Sequence, residues 1–201
     1  MRDINFWSPK GGQGTTTLVC GIAKSLSRYG EVVQVVGEGE RANDALACFG
    51  SATLAESNFQ TTINDNLQVS QIPAGKVDRR IFDCGTDVTA IQPDCLNVMV
   101  TKACYLSLRR LLKITRAPEH PDVLDNFDGF VLVEEPGRAL NVTDVESATG
   151  MDHLGTVHYD SSIARTVDAG LLAVREPHRD FRRLANSLAD LADRKRCGNG
   201  V

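Results

Sequence analysis

Several features that would assign a protein to a class at once are missing from this sequence of 201 residues. No apolar run approaches the ~18 residues needed to span a bilayer, so we expect no membrane partner. No signal-peptide pattern stands before the first apolar segment, which predicts a cytoplasmic location. A net charge of −4 excludes a surface that is basic throughout, so contact with nucleic acid would require a local patch.

The sequence also lacks a metal-binding arrangement of cysteine and histidine. Its six cysteines form no CxxC pair, and its four histidines share no metal-ligand spacing. Isolated cysteines at apolar positions are usually small buried residues in a reducing compartment. We therefore predict structural roles for the cysteines and no chemistry for the histidines. These residues are Cys20, Cys48, Cys84, Cys95, Cys104 and Cys197, and His120, His153, His158 and His178.

Short β-branched runs alternate with helix-like segments along the chain. The candidate strands are Ile4–Ser8, Val32–Gly37, Leu67–Ile72, Arg80–Asp83, Leu96–Thr101, Phe130–Glu134 and Leu154–Val157. The candidate helices lie near 15–29, 42–49, 88–92, 104–116, 143–149, 161–169 and 179–195. This alternation predicts an α/β fold, with a mostly parallel β-sheet flanked by helices on both faces. We expect one domain over 1–194, a loop or short helix over 51–66, and a flexible C-terminal tail over 195–201.

The segment Lys10–Thr17, KGGQGTTT, lies between the apolar run Ile4–Trp7 and a helix-like stretch. Strand, glycine-rich loop and helix in this order are typical of a phosphate-binding loop, in which backbone N–H groups at the helix N-terminus converge on an anion. The glycines allow backbone conformations and a close ligand approach that a Cβ would block. In such loops a hydroxyl near the start of the helix holds Mg²⁺, and here that residue would be Thr16.

A second candidate element is the strand that ends at Asp83, followed by Cys84 and Gly85. A strand that ends in an acid is similar to the Walker B arrangement, where a carboxylate orients water on magnesium. Gly85 would bring a backbone N–H near the terminal phosphate. An aspartate after a strand is also a common turn former, so the prediction depends on its pairing with the glycine loop.

Taken together, these motifs resemble the deviant-Walker P-loop family that includes the MinD and ParA ATPases. The resemblance is carried by Ser8–Thr17, by Phe82–Gly85 and by Leu154–Gly170, which is similar to a G-x-(I/V)-P-Y-D segment of that family with His158 in place of proline. It implies a P-loop NTPase that binds ATP and Mg²⁺ as a homodimer and acts with a partner protein.

The same resemblance implies roles for individual residues. Lys10 would reach the partner protomer's phosphates, and Lys10 and Asp83 would be the catalytic residues. Thr16 and Asp83 would hold the metal. Arg138, after the sixth predicted strand, would stack on the nucleotide base, although a solvated turn is the alternative. The expected cofactor contacts are Lys10, Gly11, Gly12, Gln13, Gly14, Thr15, Thr16, Thr17 and Arg138.

Thr15 occupies the position where P-loops usually carry a lysine. A lysine there would donate charge-assisted hydrogen bonds worth about 1.5–3 kcal/mol, so its absence would weaken nucleotide binding roughly 10- to 150-fold. The backbone cradle would remain. Hydrolysis is expected to be slow or absent, because phosphoryl transfer depends on positioned charge. Glu38 or Glu40 would have to replace the acidic loop residue usual in the family.

Several alternatives stay open at this point. The chain is also similar to the CpaE/TadZ branch, whose MinD-like domains help to place pili or secretion machinery. It would otherwise be a scaffold that has lost nucleotide binding, or an active partition ATPase in which Lys10 supplies the missing charge. Non-specific DNA binding is a further possibility, through a basic patch formed by Arg109, Arg110, Lys113 and Arg116.

Overall fold

The computed structural model describes residues 3–51, 59–115 and 123–198. Within these residues the chain forms eight strands and six α-helices. The strands are β1 Ile4–Trp7, β2 Val33–Gly37, β3 Gln60–Asn64, β4 Leu67–Ser70, β5 Arg79–Gly85, β6 Leu96–Thr101, β7 Gly129–Val133 and β8 His153–Val157. The helices are α1 Thr15–Arg28, α2 Glu40–Cys48, α3 Tyr105–Thr115, α4 Val142–Thr149, α5 Ser161–Asp168 and α6 Arg179–Gly198, with short 3-10 helices at Val88–Ala90 and Val123–Asn126.

All eight strands belong to one sheet, in the order β3-β4-β2-β5-β1-β6-β7-β8. Every neighbouring pair is parallel except β3 and β4, which pair antiparallel. Strand β1 is central, and Ile4 pairs with Ile81 of β5 on one side and Leu96 of β6 on the other. The α/β prediction and all seven predicted strands are confirmed.

Two hydrophobic cores lie on opposite faces of the sheet. Alternate residues of β1 point to different faces, so Ile4 and Phe6 join one core and Trp7 joins the other. Helices α1, α2 and α6 cover the first face, and α5 packs on it through Ile163 and Val167. Helices α3 and α4 cover the second face. The sheet is therefore flanked by helices on both faces, as predicted.

Strand β3 was not predicted, and the assignment of a loop or short helix is wrong for Gln60–Asn64. Its side chains are polar except for Ile63 and alternate between exposed and half-buried positions, because it forms the edge of the sheet and pairs only with β4. The strand therefore has no apolar run to mark it in the sequence. Residues 52–58 of the same stretch lie outside the described residues.

Helix α6 continues to Gly198, so residues 195–198, predicted as the start of the tail, belong to this helix. The assignment of one domain over 1–194 stays a prediction. Among the described residues, none of the helices is both long and apolar enough to cross a bilayer.

Candidate functional site

The glycine-rich loop connects the carboxyl end of β1 to the first turn of α1. Gly12 and Gly14 have φ angles of 75° and 86°, which side chains with a Cβ rarely adopt. Gly14 precedes the helix without a side-chain cap, and its carbonyl accepts the N–H of Leu18 at 2.9 Å. The N–H groups in the first turn of α1 therefore receive no side-chain cap from the residue before the helix, and they can donate to a ligand or to solvent.

A cavity of about 250 Å³ lies above this loop, at the carboxyl edge of the sheet. Its walls come from the loop, from the residues that follow Trp7 and Phe82, and from one residue of α2. The lining residues are Ser8, Gly11, Gly12, Gln13, Gly14, Thr15, Thr16, Thr17, Arg41, Asp83, Gly85 and Thr86. Parallel α/β sheets bind ligands at this edge, so the cavity is where the fold favours a site.

The structure brings Thr16 and Asp83 together, as the sequence predicted for a metal site. The Thr16 hydroxyl donates a hydrogen bond of 2.6 Å to Oδ2 of Asp83. The other carboxylate oxygen, Oδ1, accepts the N–H of Gly85 at 3.0 Å. The two residues meet because β5 pairs directly with β1, which places the end of one strand beside the loop of the other. Oxygen donors of this type suit Mg²⁺.

Asp83 is only 3% exposed. Burial raises the pKa of its carboxyl group, while the hydrogen bonds from Thr16 and Gly85 and the nearby charge of Arg41 act to lower it. A buried carboxylate whose hydrogen bonds and neighbouring charges only partly replace its hydration is costly to keep charged. A bound cation would offset that cost, and this is the electrostatic condition expected of a metal ligand.

Two polar atoms of the loop are buried without a hydrogen-bond partner. These are Oγ1 of Thr15 and Nε2 of Gln13. Buried polar groups are usually paired, and an orphaned atom commonly marks a functional position. Both belong to residues that line the cavity. The loop therefore retains unused hydrogen-bonding capacity at the cavity where an anion is expected.

Gln13 also connects the loop to α3. Its Oε1 accepts the backbone N–H of Lys102 at 2.9 Å and the hydroxyl of Ser107 at 2.7 Å. Gln13 and Ser107 are both buried. The sequence placed Gln13 among the nucleotide contacts but gave no sign of this link, since its partners lie about 90 residues further along the chain.

Lys10 is absent from the described lining of this cavity. Its Nζ is 3.4 Å from the carbonyl of Gly11, in an exposed position. Its side chain lines a separate groove of about 680 Å³ with residues of α3, including Arg109, Arg110 and Lys113. Its predicted reach to a partner protomer stays a prediction. Arg116, the fourth residue of the predicted basic patch, lies outside the described residues.

The predicted base contact, Arg138, is exposed and donates from Nε to Oε2 of Glu135 at 2.9 Å. Glu135 lines a cavity of about 420 Å³ next to the loop, together with Val133, Val157 and Tyr159. This cavity also reaches Gly12, Gly14 and Thr17 of the loop. A base contact by Arg138 stays a prediction.

Arg41 is a site residue that the sequence analysis missed. It lines the cavity opposite the loop, and its side chain lies across Gly85: a Cβ on Gly85 would stand 2.9 Å from Cδ and 3.3 Å from Nη1 of Arg41. Glu38 and Glu40, the predicted replacements for the family's acidic residue, are exposed and are absent from the described lining of this cavity. The segment after β2 thus presents a cation to the cavity.

The described cysteines lie at buried positions, as expected of small apolar side chains. The five cysteines whose side chains are described are buried and form no disulfide. Across residues 3–51, 59–115 and 123–198, no group of three or more His, Cys, Asp or Glu side chains could hold a metal ion. His120 lies outside these ranges.

No protein-family model matches this sequence, and no curated protein matches it. Solved structures do match in fold. The MinC:MinD cell division protein complex of Aquifex aeolicus has a TM-score of 0.74 at 15% identity, over 100% of this chain and 98% of that chain. A ParA family ATPase of Chlorobium tepidum has a TM-score of 0.70 at 17% identity, over 94% and 98%.

The septum site-determining protein MinD of Pyrococcus horikoshii, complexed with Mg-ADP, has a TM-score of 0.65 at 19% identity, over 97% of both chains. At such identities the likeness concerns the fold. The chain has the P-loop NTPase fold of the MinD and ParA ATPases, so the resemblance noted in the sequence is confirmed at that level. The finer likeness to CpaE and TadZ stays a prediction.

Proposed function

We propose that this protein binds ATP and Mg²⁺ at the glycine-rich loop and acts as a nucleotide-dependent dimer switch in a positioning or partition system. The Thr16–Asp83 pair beside the loop cavity carries this proposal. It combines the hydroxyl and carboxylate of a magnesium site with a backbone cradle for phosphate. The MinD and ParA fold supports the class of function, and the relatives solved with Mg-ADP and with MinC support a nucleotide and a protein partner.

Different residues of the cavity bind different parts of the nucleotide and its cation in this proposal. The N–H groups of Gly11–Thr17 bind phosphate oxygens, and Thr16 and Asp83 hold the cation. Mg²⁺, when bound, neutralises phosphate charge. Gly85 holds the Asp83 carboxylate in place through its N–H, which fixes one of the two oxygens. The pocket that includes Val133 and Tyr159 is the proposed site for the base.

Turnover is proposed to be slow or absent, because Thr15 offers no cation where P-loops carry lysine. Its hydroxyl is buried and neutral, so it supplies hydrogen bonding but no charge to a transition state. Dimerisation would then be switched by binding and release of the nucleotide. Lys10 is the one charged residue of the segment Ser8–Thr17. It would therefore be the only charge that this segment of the partner protomer adds to the site.

Calorimetry with Mg-ATP tests the proposal. We expect binding of one nucleotide per chain and a Mg²⁺-dependent rise in melting temperature. Sedimentation should show a dimer with Mg-ATP and a monomer without it. Absence of both heat and thermal shift at millimolar nucleotide would favour the scaffold that has lost its ligand. Turnover at the rate of ordinary family ATPases that disappears in Lys10→Ala would instead favour the active ATPase.

Non-specific DNA binding is a second candidate function, favoured by the groove between the loop and α3. Lys10, Arg109, Arg110 and Lys113 all line it, and no carboxylate does so among the described residues. Anisotropy with labelled duplex DNA at increasing salt tests this function. An R109E/K113E variant should lose binding, whereas R182E/R183E, which changes an exposed pair on α6 by the same charge, should not. Equal loss in both variants would argue against a role for the groove.

A further inference from the structure

We infer that Arg41 supplies the positive charge that the loop lacks at Thr15, binding the phosphate group of the nucleotide from the α2 side of the cavity. This inference rests on the proposed nucleotide site. It assigns the compensating charge to α2 of the same protomer and not to Lys10. The group that contacts the phosphate is then a guanidinium and not an ammonium.

The position of Arg41 is the first support. Arg41 lies in the first turn of α2, directly after the loop that follows β2. Strand β2 pairs with β5, and Gly37 at its end lies opposite Asp83. The start of α2 therefore stands beside the end of β5, across the cavity from the glycine loop. Arg41 is the one basic side chain among the described residues that line this cavity.

The packing of the side chain is the second support. The arginine stem lies against the Cα of Gly85, and an added Cβ there would stand only 2.9 Å from Cδ of Arg41. Gly85 has a φ of 55°, a conformation that also favours glycine. Gly85 thus permits both its own turn and the close passage of the arginine. The stem thereby reaches the cavity, which Arg41 lines.

The state of the guanidinium is the third support. Nε of Arg41 is buried and has no hydrogen-bond partner. Its ion pair with Glu38 is long, at 3.6 Å, and Glu38 is 82% exposed, so solvent screens it. A buried donor without an acceptor is unfavourable. Phosphate oxygens accept hydrogen bonds from the planar fork of a guanidinium in bidentate geometry.

Arg41 also faces the metal side of the cavity, where the last phosphate of a triphosphate would lie. Asp83 and Gly85 are its neighbours there, and the Arg41 charge acts to lower the pKa of Asp83 against the larger, raising effect of burial. A contact at that end distinguishes ATP from ADP. An arginine that merely balanced the charge of Asp83 would not discriminate between the two nucleotides.

The test is calorimetry of Mg-ATP and Mg-ADP binding to the wild type, Arg41→Met, Arg41→Lys and Arg183→Gln. Methionine keeps an aliphatic stem over Gly85, and Arg183 is an exposed α6 arginine outside the described lining of the cavity. Arg41→Met should lose about 10- to 150-fold in affinity for ATP, the range expected for a charge-assisted hydrogen bond. The loss for ADP should be smaller, Arg41→Lys should recover part of it, and Arg183→Gln should match the wild type.

A second arm adds Thr15→Lys to Arg41→Met. If Arg41 replaces the loop lysine, Thr15→Lys should raise ATP affinity by a larger factor in the Arg41→Met background than in the wild type, because the charge is missing only in that background. An Arg41→Met variant that binds ATP as tightly as the wild type would overturn the inference but not the proposed nucleotide site. Equal losses for ATP and ADP would also overturn it, because they indicate a role in the shape of the cavity. Absence of nucleotide binding to the wild type would overturn the nucleotide site itself, together with the inference.

Discussion

Removal of the Thr16 hydroxyl should destabilise the protein even before any ligand is added. In Thr16→Ala the carboxylate of Asp83 loses its 2.6 Å hydrogen bond, and Asp83 is only 3% exposed, so water cannot replace the donor without rearrangement. A hydrogen bond to a charged group contributes about 1.5–3 kcal/mol. With a urea m-value of about 2–3 kcal/mol/M, the unfolding midpoint should fall by about 0.5–1.5 M near neutral pH.

The dependence on pH gives this prediction its sharpest test. Burial raises the pKa of Asp83 and the Thr16 hydrogen bond opposes that rise, so the hydroxyl stabilises the charged carboxylate. The difference in unfolding free energy between wild type and Thr16→Ala should therefore be largest above the folded-state pKa. It should shrink as the pH is lowered through that pKa, because the protonated carboxyl needs no donor.

Two control variants isolate the hydroxyl. Thr16→Ser keeps it and should stay close to the wild type. Thr17→Ala removes the neighbouring hydroxyl, for which the described part of the chain shows no side-chain hydrogen bond, and it should also be near neutral. Equal stability of all three variants across the pH range would refute the argument that a buried Thr16–Asp83 hydrogen bond shapes the site.

Further predictions concern the same loop and the helix behind it. Asp83→Asn should gain stability relative to the ligand-free wild type as the pH rises through the raised pKa of Asp83, because the amide carries no buried charge. The same variant should lose the Mg²⁺-dependent stabilisation by nucleotide. Urea unfolding across pH, with and without Mg-ATP, measures both effects. Thr15→Lys should bind Mg-ATP more tightly by calorimetry, by less than the about 10- to 150-fold of an uncompensated charge because Arg41 already supplies charge to the cavity, and a loss of affinity would contradict a standard loop geometry. Gly21→Ala should cost about 1–3 kcal/mol in urea unfolding. Its Cβ would stand 2.4 Å from the ring of Phe181, where α1 packs on α6, and a stability equal to the wild type would show that the ring moves aside freely.

The sequence was sufficient to predict the central part of the fold. Strand Leu96–Thr101 is buried along its whole length and is apolar except for Asn97 and Thr101, as expected of a central strand in a parallel sheet. The Thr16–Asp83 pair was also predictable, because Thr16 follows the glycine loop after β1, Asp83 lies near the carboxyl end of β5, and these strand ends meet at one edge of the sheet. Strand β3 was not, since Ile63 is the one apolar residue of this edge strand and no apolar alternation marks it.

The role of Arg41 could not be predicted from its neighbours in the sequence. The segment Gly37–Glu40 directs attention to its carboxylates, but both point to solvent, and the arginine that follows them enters the cavity. Its direction depends on the absence of a side chain at Gly85, 44 positions further along the chain. The glycine two residues after Asp83, at the end of β5, is the one available signal that another side chain passes closely over that position.

The two hydrogen bonds that hold the Gln13 amide oxygen have a thermodynamic consequence. Because Lys102 and Ser107 already fix this side chain, the loop has given up much of its rotational freedom during folding and need not do so again when a ligand arrives. A ligand that enters would meet a Gln13 side chain that is already ordered, so binding would cost less conformational entropy at this position. Truncation of Gln13 would increase the conformational freedom of the loop. The entropy lost on ordering it would then oppose ligand binding instead of folding.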